Sequence, residues 1–137
     1  MTFDISFPGQ GNIVEFRLRG VLTFSTFSRL HQGLYFSPDW RTGMNCLGNL
    51  EKGTDISAIT LETMRGELRE EVDRIRRLRG PNFKMAWVVE DEHNLPIVRL
   101  WKTMPFVAGR YEIEVFRTAE DGRDWLRQFA RDRLTLT

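Results

Sequence analysis

Cysteine is nearly absent from this sequence: Cys46 stands alone among 137 residues, so no internal disulfide can form and a reducing, cytoplasmic setting is expected. A charge excess is missing too. Twenty Lys and Arg face nineteen Asp and Glu, a net charge of +1, which excludes the basic footprint of a dedicated nucleic-acid binder. No apolar run approaches the roughly 18 residues a transmembrane helix needs, and the opening Met-Thr-Phe-Asp-Ile-Ser-Phe has neither a basic n-region nor an apolar h-region. Neither membrane spanning nor export is therefore expected. No internal repeat and no Gly/Ser linker divides the chain, so residues 1–137 are expected to form one domain. What is present, a 41% hydrophobic and 12% aromatic content, is enough to build a core without covalent staples.

The periodicity of the apolar residues sets the elements. Thr2 to Phe7 alternates, Pro8 to Asn12 is turn chemistry, and Ile13 to Arg19 alternates again with Val14, Phe16 and Leu18 on one side, which predicts a hairpin. Phe24, Phe27, Leu30 or His31, and Leu34 recur at three and four, a helix entered through Thr23 or Ser25 and ended by Ser37-Pro38-Asp39. Met44 to Leu50 reads as a short buried strand. From Ser57 a helix is expected through Ile59, Leu61, Met64, Leu68, Val72, Ile75 and Leu78, with Gly66 as a point of division and Gly80-Pro81 as its stop. Its charges, Glu67 to Asp73 ahead of Arg74 to Arg79, read as a solvated face.

Phe83 to Val89 is almost continuously apolar, as a strand covered on both faces must be. Asn94 is placed to cap a helix through Ile97, Leu100, Trp101 and Met104. Tyr111 to Arg117 alternates as a last strand, and Ala119 to Ala130 forms a last helix. Strands separated by helices run parallel through crossovers. The expected architecture is an α/β fold of order β-β-α-β-α-β-α-β-α, one mixed sheet with an N-terminal antiparallel hairpin and otherwise mainly parallel strands, flanked by helices.

That order, with Arg17-Leu18-Arg19-Gly20-Val21-Leu22-Thr23, Asn49-Leu50, Asp55-Ile56-Ser57, Lys84-Met85-Ala86-Trp87-Val88-Val89, Glu114-Val115-Phe116-Arg117 and Asp124-Trp125-Leu126, resembles the SpoIIAA-like branch of the STAS superfamily. The resemblance spans nearly the whole chain. It implies a bacterial regulatory or protein-interaction module, with a protein partner or a homodimer, in place of catalysis. It also implies a phosphorylatable hydroxyl beside an aspartate after the third strand, a neighbourhood held here by Asp55 and Ser57. Phosphate at a helix start would rest on free backbone N–H groups and add about two negative charges. The alternative is that Asp55 or Ser57 simply caps the helix. The fold is shared in outline with CRAL-TRIO lipid carriers, which implies a small hydrophobic or lipid-like ligand as the second possibility.

Other chemistry is thin. Glu90-Asp91-Glu92-His93 follows a central strand, where ligands of open α/β sheets bind, but adjacent carboxylates without a second His or Cys at a set spacing read as a solvated loop, so no metal is expected. Gly9-Gln10-Gly11 lies in a hairpin turn and not between strand and helix, which leaves nucleotide binding without support, and no cofactor is expected. His31 and Cys46 lack a nucleophile elbow, and Cys46 reads as core filler. No catalytic residues are assigned. The aromatic surplus is more telling: Phe24, Phe27 and His31 on the first helix and Trp101 and Met104 on the fourth either face outward under a partner or enclose a cleft for a small apolar ligand.

Overall fold

The computed structural model describes residues 2–7, 12–103 and 112–136. Strands β1 (Thr2–Ser6) and β2 (Ile13–Arg19) precede helix α1 (Phe24–Tyr35) and strand β3 (Asn45–Leu50). Helices α2 (Leu61–Arg65) and α3 (Glu67–Arg79) lead to β4 (Lys84–Val89). A 3-10 turn (Glu92–Asn94) then enters α4 (Leu95–Thr103), followed by β5 (Glu112–Phe116) and α5 (Ala119–Leu136). The sequence of elements is the expected one. The loop residues 8–11, and Met104 with residues 105–111, lie outside the described residues.

Among the described residues the strands form one five-stranded sheet in the order β1-β2-β3-β4-β5, antiparallel at β1–β2 and parallel elsewhere. Since each parallel strand lies beside its predecessor, crossovers of one hand return over one face. That face is the main core: Val14, Phe16 and Leu18 of β2, Cys46 and Leu50 of β3, and Met85, Trp87 and Val89 of β4 pack against α1, α2, α3 and α4. The opposite face carries a small cluster of Leu47, Ala86 and Val88 beneath Leu126 of α5. β4 is buried from Met85 to Val89, as its unbroken apolar run requires.

Local chemistry explains the boundaries, including two that differ from expectation. Thr23 caps α1 through its side-chain oxygen, which accepts from Thr26 N. The second helical stretch begins at Leu61, not at Ser57: Asp55 Oδ1 accepts from both Ser57 N and Ser57 Oγ, which turns the chain there, and Thr60 is the residue that caps α2. Gly66 divides α2 from α3 as expected, and Gly80, at φ 86°, ends α3 in a conformation open to glycine. Asn94 does not cap α4 with its side chain. It is fully buried, and its Nδ2 donates to Thr54 O at 2.8 Å, tying the β4 loop to the loop after β3.

Candidate functional site

The four-residue spacing of Phe27, His31 and Tyr35 sets their rings in file on the buried side of α1. Phe27 and His31 ring centroids are 4.6 Å apart, His31 and Tyr35 5.7 Å. At the far end Trp101 of α4 meets Phe27 at 6.1 Å and Trp87 of β4 at 5.4 Å, both edge to face, and Trp87 meets Phe16 of β2 at 5.6 Å. Phe16 and Trp87 come together because Gly48, between them on β3, has no side chain: a Cβ there would lie 2.5 Å from the Phe16 ring and 2.7 Å from Trp87. These rings wall a hollow between sheet and helices that is open to solvent at its mouth and has a cavity volume of about 40 Å³. Of the aromatics singled out from sequence, Phe27, His31 and Trp101 line it. Phe24 packs half-buried against the core, and Met104 lies outside the described residues. The rings enclose a cleft; they do not face outward together.

Three polar groups stand in this apolar wall. His31 is 4% exposed, and its Nδ1 lies 3.1 Å from Glu71 Oε2 of α3, out of line for a full hydrogen bond. Burial outweighs the neighbouring carboxylate and holds the His31 pKa below its usual value, so the imidazole is neutral at pH 7. For Glu71 the balance is reversed. Burial works to raise its pKa, but His31 and the Ser28 hydroxyl, which donates to Oε1 at 2.6 Å, together hold it below the ordinary carboxylate value. An ionised Glu71 favours the His31 proton on Nδ1, leaving Nε2 as an acceptor.

Arg79 is buried at the other end, its Nε donating to Tyr35 Oη at 3.0 Å and its guanidinium 5.0 and 4.9 Å from the Tyr35 and Phe83 ring centroids. Trp101 Nε1 is the third group: buried, a donor only, and without a hydrogen-bond partner among the described residues. Cys46 belongs to the core behind this wall, and burial pushes its thiol pKa up to about 12, which removes it as a nucleophile near neutrality.

The Asp55 and Ser57 corner is a separate surface. Ser57 is exposed and bonded to Asp55, whose pKa is lowered first by the Ser57 hydroxyl bond and then by the Ser57 amide, with a smaller contribution from His93. Sequence placed Asp55 and Ser57 at the start of the second helix and His93 in the loop after the fourth strand; the fold brings them to one end of the sheet. Neither Asp55 nor Ser57 sits at a helix start, so a phosphate on Ser57 would meet the Asp55 carboxylate and not a row of free N–H groups. Glu90 and Asp91 are spent as a clasp, accepting from the backbone N–H groups of Lys52 and Gly53. No group of three or more His, Cys, Asp or Glu among the described residues is arranged to hold a metal.

Sequence reasoning missed Glu71, Arg79, Phe16, Trp87 and Gly48. The α3 charges are not uniformly solvated: Glu71 is 6% and Arg79 5% exposed. The available signal was position, because Glu71 and Arg79 lie four residues either side of the buried Ile75 and so on its stripe.

A single mixed sheet with an N-terminal antiparallel hairpin, sequential parallel strands and helices on both faces is a SpoIIAA-like fold. The chain is similar to the crystal structure of an uncharacterized protein of the DUF3478 family, with a SpoIIAA-like fold, from Shewanella loihica: TM-score 0.55, 15% identity, covering 91% of this chain and 92% of that one. Neither a protein-family model nor a curated protein matches the sequence. No helix among the described residues is long and apolar enough to cross a membrane.

Proposed function

We propose that this chain is a non-enzymatic, cytoplasmic binding module that holds a small, largely apolar ligand between the sheet and helices α1, α3 and α4. One observation carries this: the aromatic residues that could have formed an outer face instead wall a hollow with a buried indole N–H that has no partner among the described residues. A cavity of about 40 Å³ suits a small ligand better than a lipid chain. Catalysis has little to work with there, since His31 faces a carboxylate and no competent nucleophile. Titrating small aromatic fragments while following the methyl NMR signals of Met64, Met85 and Leu34 tests the reading. Shifts confined to these cavity methyls are expected; no shift at millimolar fragment, or shifts only at the surface, overturns it.

A second reading, a regulatory partner surface or a homodimer contact, is favoured by the corner formed by the exposed Val21 and Ser57 around the half-buried Asp55. Val21, 54% exposed, bridges to Asp55, which accepts from the exposed Ser57 hydroxyl. Intact mass of protein from the native host would show one added phosphate on Ser57 if this surface is switched by modification. An unmodified mass in every growth phase removes the switch.

A further inference from the structure

We propose that the hollow selects a small apolar monocarboxylate, its carboxylate on the Arg79 guanidinium and its hydrocarbon body among the rings. This rests on the binding reading above and deepens it. With His31 neutral, Arg79 is the one residue, among the described residues that line the hollow, to carry a charge at pH 7. The wall is therefore a single cation set in apolar and aromatic surface. Glu71 packs on His31 and Ser28 and does not line the hollow. Burial is the first cause of the lowered His31 pKa and the Arg79 charge adds to it, so that charge acts within the wall. Arg79 is 5% exposed, which leaves its charge little screened by water, and an anion brought into the hollow offsets it.

The guanidinium is also held for recognition. Its Nε donates to Tyr35 Oη at 3.0 Å, and its central carbon lies 5.0 and 4.9 Å from the Tyr35 and Phe83 ring centroids, contacts that fix it before a ligand arrives. A guanidinium has five N–H donors, so it can keep Tyr35 and take a carboxylate as well. Its planar fork matches two carboxylate oxygens, and the bonds are charge-assisted. An ammonium would instead meet a like charge in a wall of low dielectric. The volume of about 40 Å³ limits the body to a few carbons, with Leu34, Met64 and Met85 as its aliphatic contacts.

The test compares isobutyrate, isobutyramide and isobutylamine on the full chain at pH 7, following the methyl NMR signals of Leu34, Met64 and Met85. The three share a branched body and are anionic, neutral and cationic. Isobutyrate is expected to shift the cavity methyls and to bind about tenfold tighter than the amide, the worth of a hydrogen bond to a charged group. Isobutylamine should not saturate. In Arg79→Met the preference for the anion should shrink to within about twofold, and Arg79→Lys should keep part of it. The three compounds on wild type decide the assignment even where Arg79→Met does not fold. If the amide or the amine binds wild type as tightly as isobutyrate, or if the preference survives in Arg79→Met, the Arg79 assignment fails while the cavity stands. If none of the three moves the cavity methyls but the aromatic fragments do, the carboxylate class is wrong and the binding reading stands. If neither set moves them, both fall together.

Discussion

The two faces of the sheet solve the same burial problem in opposite ways. Over the inner face, rings from α1, β2, β4 and α4 interlock edge to face and still leave a void with ionisable groups in its wall. Over the outer face, α5 comes down on Leu47, Ala86 and Val88 with Leu126 and with Gly122, whose missing side chain allows the helix within van der Waals distance of all three strand residues. Small aliphatic groups fill space by sliding, whereas large flat rings hold fixed angles and leave gaps. The aromatic face is the one able to receive something else, and the aliphatic face is the one that seals.

Two glycines sharpen that contrast, and they give the largest expected effect. A Cβ on Gly48 meets rings at 2.5 and 2.7 Å that are held by their neighbours, so Gly48→Ala should destabilise by about 3 kcal/mol, the upper range for overpacking. A Cβ on Gly122 meets the far end of Leu47 at 3.0 Å, which can give way, and Gly→Ala inside a helix recovers about 1 kcal/mol. Gly122→Ala should therefore be neutral or slightly stabilising. Urea unfolding of both variants decides the matter; equal losses would mean that the rings yield as readily as the leucine.

The next effect is one of pH and belongs to the inner face alone. Because the folded-state pKa of His31 is depressed, the unfolded chain binds more protons below about pH 6.5, the ordinary histidine value, and acid favours unfolding there. The contribution is complete above that pH and is lost as pH falls through it. Glu71, also lowered, contributes stability above its ordinary value of 4.5 that is lost only at more acid pH. His31→Gln should flatten the urea midpoint between pH 7 and 5 and leave the loss below 4.5. A His31→Gln profile parallel to wild type in the upper window would show that His31 is not held neutral.

This division also explains what the sequence could disclose. The α1 stripe of Phe27, His31, Leu34 and Tyr35 is legible because helical spacing is local, and so is β4, whose apolar run admits no solvated face. Glu71 and Arg79 carried one local signal, their place on the Ile75 stripe, which the exposed Glu70 and Arg77 lack. What satisfies them was not legible, because their partners, Ser28 and Tyr35, are 43 and 44 residues away. Ser57 failed differently: its residue type suits a helix start, but the side chain of Asp55 captured its amide and moved the cap to Thr60.

The smallest effect lies on the outer face. Arg123 of α5 grips Glu15 of β2 with two bonds of 2.6 and 2.7 Å, and the Arg123 hydrogen bond is the first cause of the lowered Glu15 pKa. Both side chains are about a third exposed, at 38% and 31%, so solvent and salt screen most of the attraction. A double-mutant cycle with Glu15→Gln and Arg123→Gln should give a coupling of about 0.5 to 1 kcal/mol at low salt. It should shrink further near 1 M salt, where charges are screened within about 3 Å. If instead the coupling reaches about 3 kcal/mol and ignores salt, as a desolvated pair would, the outer face depends on charge as much as on its aliphatic seal. The contrast between the two faces would then have to be redrawn.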